Sequence, residues 1–111
     1  MIGSNGGMRM ILEWRYNEDL KTVITVDNET RTVSIENKTD NIFDRAFGVN
    51  ENPTYADFEK LLKDRCFSDA VGNCKILLNS LGLKTYNRID IVRVTNGKMA
   101  HDKFSLVITE E

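Results

Sequence analysis

From Met8 onward apolar and polar residues alternate, with Met10, Leu12, Trp14 and Tyr16 on one side and Arg9, Glu13 and Arg15 on the other. A period of two is the signature of a strand with one buried face. Asn17-Glu18-Asp19 supplies turn residues, and Lys21 to Val26 returns as a second β-rich run. Asp27-Asn28-Glu29-Thr30 is a polar connection of hairpin length, and Thr32 to Glu36 gives a third strand with Val33 and Ile35 on one face. The economical arrangement is an antiparallel meander.

The period then changes. Thr54 reads as a helix N-cap with Asp57 three residues on, an acidic form of the capping box. Tyr55, Phe58, Leu61, Leu62 and Cys66 follow at helical spacing, with Glu59 and Lys63 as an i,i+4 pair on the wet face. A second helix is expected to start at Ser68, with Asp69 in its first turn. Its stripe comprises Ala70, Val71, Cys74, Leu77, Leu78 and Leu81, and it stops at Gly82-Leu83. Asn87 to Gly97 is ambiguous. Ile89, Ile91, Val92 and Val94 favour a strand, whereas Asn87 as cap, Asp90 at N3 and Gly97 as a stop favour a helix, the reading adopted. Phe104 to Thr109 is a final strand pairing with the first sheet. Between sheet and helices, residues 37–52 are broken by Gly48 and Asn50-Glu51-Asn52-Pro53, and a short helical turn near 41–47 followed by a loop is expected. The fold class is thus α+β: a small antiparallel sheet of three N-terminal strands plus a C-terminal one, packed on two to three helices.

At 111 residues the chain is one domain by size and buries roughly two thirds of its unfolded surface. Residues 1–7 read as an expression-tag remnant ahead of a natural start at Met8, leaving 8–111 as the domain. The net charge of −2, with both signs scattered, lacks the dense basic patch of generic nucleic-acid binding. No run approaches the ~18 apolar residues of a membrane span. Two cysteines, Cys66 and Cys74, are too few for a disulfide framework and point to a reducing cytoplasm.

Candidate chemistry is sparse. His101, the single histidine, sits beside Asp102 in a polar stretch with no nameable nucleophile or orienting group. Cys66 and Cys74 lack the spacing and companion ligands of a metal site. Neither a phosphate-binding nor a dinucleotide glycine motif is present. No catalytic residue, cofactor or metal is assigned. Trp14 and Phe58 are expected in the core. Phe43 and Phe47, in the irregular segment, are the better candidates for a binding surface. Gly72, inside the expected second helix, should cost that helix about 1 kcal/mol against alanine and marks close helix packing or a partner contact.

The order Asp57-Phe58-Glu59, Arg65-Cys66-Phe67, Leu81-Gly82-Leu83, Asp90-Ile91 and Gly97-Lys98-Met99 ahead of Asp102-Lys103-Phe104 resembles the small N-terminal subdomain of HipA-like serine/threonine kinases, the toxins of some bacterial toxin–antitoxin systems. Ser68 and Val71 stand near where that subdomain has a proline and an arginine. Some systems carry this subdomain as a separate small protein that restrains the kinase, so the resemblance implies binding rather than phosphotransfer. The reading is a non-catalytic, cytoplasmic bacterial interaction domain with a protein partner, contacted through Phe43, Phe47 and Gly72. Two alternatives stand beside it. One is an inhibitor encoded by a phage or mobile element, such as an anti-CRISPR protein. The other is a divergent enzyme, which would need a concave pocket holding His101 or a buried carboxylate with a displaced pKa.

Overall fold

The computed structural model describes residues 9–70 and 72–110; the expected expression-tag remnant at 1–7 lies outside them. Strands β1 (Arg9–Tyr16), β2 (Asp19–Asp27), β3 (Thr32–Asn37) and β4 (Phe104–Glu110) form one antiparallel sheet in the order β3-β2-β1-β4. Helices α1 (Tyr55–Asp64), α2 (Cys74–Ser80) and α3 (Arg88–Thr95) intervene between β3 and β4. The α+β class and the final strand returning beside the first are as the hydrophobic pattern predicts. Among the described residues no helix is long and apolar enough to cross a membrane.

The alternation in β1 does its expected work. Met10, Leu12 and Trp14 join Ile24 and Val26 of β2 and Leu106 of β4 in one core with Phe58, Leu61 and Leu62 of α1, Leu78 of α2 and Ile91 and Val92 of α3. The intervening residues Ile11, Glu13, Arg15, Val23 and Thr25 stay half-exposed, as the solvated face of an antiparallel sheet does. β1 and β2 are joined through Asn17 and Glu18, both at positive φ (50° and 79°), the backbone of a tight hairpin whose twist matches its strands.

Local signals set the helix ends. The Thr54 side chain accepts from the Asp57 N–H at 3.2 Å, and the Asp57 carboxylate accepts from the Thr54 N–H at 2.9 Å. The Asn87 side chain accepts from the Asp90 N–H at 3.1 Å, so the ambiguous segment is helical. After α2, the Leu83 N–H donates to the Leu78 carbonyl and the Gly82 N–H to that of Asn79, with Gly82 at φ +76°: a Schellman stop.

Two expectations need correction. The second helix does not begin at Ser68; it spans only Cys74–Ser80. The Ser68 hydroxyl accepts from the Ala70 N–H at 3.1 Å, a local turn that competes with helix. Gly72 would add its cost to any helix started earlier. Val71, part of the expected stripe, lies outside the described residues. The segment near 41–47 likewise forms no helix. It makes successive hydrogen-bonded turns, Asp44 N–H to the Asn41 carbonyl and Asn50 N–H to that of Phe47.

The least expected core residue is Arg65, 5% exposed at the C-cap of α1. Its guanidinium donates to both Asp102 carboxylate oxygens (2.8 and 2.9 Å), to the Gly97 carbonyl (2.8 Å) and to the Phe104 carbonyl (2.9 Å). It also lies 5.1 Å from the centroid of the Trp14 ring. One side chain thus ties α1 to the turn after α3 and to the start of β4. The same junction needs Gly97, at φ +62°, because a Cβ there would fall 2.7 Å from Leu106 Cβ.

Candidate partner-binding surface

The long connection between β3 and α1 folds into a lobe held down by bonds to distant residues. The Trp14 Nε1–H donates to the Asp44 carbonyl at 3.0 Å, and the Ala46 N–H donates to the Thr22 hydroxyl at 3.2 Å. That hydroxyl is itself oriented by donating to Asn37 Oδ1 at 2.9 Å. Within the lobe, Arg45 Nε–H donates to the Thr39 carbonyl and the Phe43 N–H to Asn41 Oδ1. At the far end, Asn50 Nδ2–H donates to Asp57 Oδ2, joining the lobe to the capping box of α1. Those bonds, with that of the Thr54 N–H foremost, hold the Asp57 carboxyl below its usual pKa.

So anchored, the lobe divides its apolar side chains. Ala46 and Phe47 turn inward and pack against the core. Phe47 also lines a shallow cleft of about 210 Å³ against α1. Ile42, Phe43 and Val49 face solvent, Phe43 at 85% exposed and Val49 at 73%. Solvent normally receives such side chains singly; here three are exposed within eight residues of one pinned segment. Asp40 and Glu51 are exposed at its two ends.

The sequence-derived candidates therefore have different roles. Phe43 is an exposed apolar side chain. Phe47 supports the lobe from beneath. Gly72 lies in the turn ahead of α2 rather than inside a helix, and an added Cβ would meet nothing within 4 Å, so the helix-packing rationale falls away. Ile42 and Val49 carry little signal in the sequence, since Asn41, Asp44, Gly48 and Asn50 around them read as turn formers.

His101 is 71% exposed, its Nε2 3.4 Å from Asp102 Oδ2. The Arg65 guanidinium already engages that carboxylate and holds its pKa below the usual value. Cys66 is buried, its thiol pushed up to about 11 by desolvation, which keeps it un-ionised and weakly nucleophilic at neutral pH. No protein-family model matches the chain, and neither does any curated protein or solved structure.

Proposed function

We propose that the chain is a protein-interaction domain that binds its partner through the lobe of residues 38–51, with Phe43 as the principal contact. The observation that carries this reading is the exposure of Phe43 on a segment that hydrogen bonds to Trp14, Thr22 and Asp57, all outside the lobe, hold in place. A disordered loop would lose conformational freedom on binding, whereas a pinned lobe has given it up during folding. Burying a phenylalanine contributes about 2–3 kcal/mol, enough to make it a dominant contact.

A reducing, cytoplasmic setting agrees with two free cysteines. A HipA-like kinase is the partner class implied by the sequence resemblance and is the first to test. The test is affinity capture of the tagged domain from a bacterial lysate, with and without Phe43→Asp. A stoichiometric partner lost in the variant is expected, and a well-folded wild-type domain that retains nothing above background would sink the reading.

A further inference from the structure

A second feature lies away from the lobe. A cleft of about 430 Å³ opens between α1 and the start of α3, within the range of small-molecule sites. Met10, Phe58 and Leu62, all buried, make its floor, and Tyr55 and Arg88 contribute to its wall. The Tyr55 hydroxyl is fixed by donating to Asn28 Oδ1 at 3.0 Å.

The charge distribution is what sets this cleft apart. Arg9, Arg15, Arg45, Arg65 and Arg93 each meet a carboxylate. Among the described residues Arg31 and Arg88 meet none, and both stand at this cleft. Arg88 lines it, its side chain hydrogen-bonded to that of Tyr86, and Arg31 lies 5.4 Å from the centroid of the Tyr55 ring. The nearest acidic side chain in sequence, Asp90, is turned to Arg93 at 2.5 Å. Glu59 also lines the cleft, Arg31 stands at its edge over the Tyr55 ring, and the charge of Asp69 reaches Tyr86 in its wall. A dianion such as a phosphate monoester would be repelled by Glu59 more strongly than a monoanion, which Arg88 can pair with alone.

We propose that this cleft binds a small organic monoanion, a carboxylate carried on an aromatic or apolar body. The carboxylate pairs with Arg88, whose planar guanidinium suits two-point recognition, and the body lies on Phe58, Leu62 and the Tyr55 ring.

The experiment is an amide chemical-shift titration of the full chain with phenylacetate, and with phenethylamine as the oppositely charged control. Saturable shifts at Tyr55 and at Asn87–Ile89 with phenylacetate, and none with the amine, are expected. Arg88→Met should weaken phenylacetate at least tenfold. Arg31→Gln, in an exposed turn and a safer change for folding, should weaken it two- to fivefold. No saturation by phenylacetate, equal response to the amine, or wild-type affinity in both variants would overturn the proposal. The lobe is untouched by any of these changes, so this result and that for Phe43 are independent.

Discussion

Asp102→Ala tests the junction that holds the last strand to the helices. The substitution removes both carboxylate oxygens from the Arg65 guanidinium, leaving it bonded only to the Gly97 and Phe104 carbonyls. It also removes the acceptor of the Phe104 N–H, 3.0 Å from Asp102 Oδ1. Breaking a fully buried pair by deleting one partner costs about 3–5 kcal/mol, because the surviving charge stays desolvated. Asp102 keeps 24% of its side chain exposed, so water can partly replace it; the expected loss is about 2–4 kcal/mol. For a domain of this size that lowers Tm by roughly 8–20 °C. Urea unfolding at pH 7 measures the loss directly. The double variant Arg65→Met, Asp102→Leu removes the orphan charge and should be less damaging than the sum of Arg65→Met and Asp102→Leu by about 1–2 kcal/mol. A loss below about 0.5 kcal/mol in Asp102→Ala, or strict additivity in the cycle, would refute the reasoning.

Other outcomes follow from the same contacts. Asp57 and Asp102 both titrate below the usual value of 3.8, Asp57 through Thr54 and Asp102 through Arg65. Their contribution is therefore complete above the unfolded pKa and lost as pH falls through the lower folded values; denaturant midpoints below pH 4 should drop, and less so in Asp102→Asn. Gly97→Ala forces a Cβ to 2.9 Å from the Leu106 backbone nitrogen at a positive φ and should cost about 2–4 kcal/mol, whereas Gly72→Ala, in open space, should change stability by less than about 0.5 kcal/mol; paired unfolding curves read both. Trp14→Phe removes the donor to the Asp44 carbonyl and should cost about 1–2 kcal/mol. Faster amide exchange across 41–47 would show the lobe loosening, with Phe43 itself unchanged.

What was legible in the sequence was what neighbours decide. Thr54 with Asp57, Asn87 with Asp90 and Gly82 with Leu83 each carry their partner within five residues, and the strands announce themselves by alternation. What was not legible depends on distant contacts. Arg65 looks like a solvated helix end, yet it continues the spacing of Phe58, Leu61 and Leu62 on the buried stripe, a signal that an unpaired cation would not be tolerated there. Its carboxylate lies 37 residues away. The lobe is shaped by Trp14 and Thr22, so its own residues say little about which of Phe43 and Phe47 faces out. The start of the second helix is hidden because apolar spacing runs through Ala70, Val71 and Cys74 while the Ser68 turn and Gly72 work against it.

The most direct measurement compares partner capture by the wild type with capture by Phe43→Asp, Val49→Asp and Ile76→Asp, each verified to unfold at the wild-type midpoint. Ile76 is an exposed apolar residue on α2, near Gly72 in sequence, and serves as the control surface. Losing about 2–3 kcal/mol of burial at Phe43 corresponds to roughly 30- to 150-fold weaker binding. The expected result is that both lobe variants lose the partner while Ile76→Asp retains it. Retention by Phe43→Asp together with loss in Ile76→Asp would contradict the lobe and move the interaction to α2.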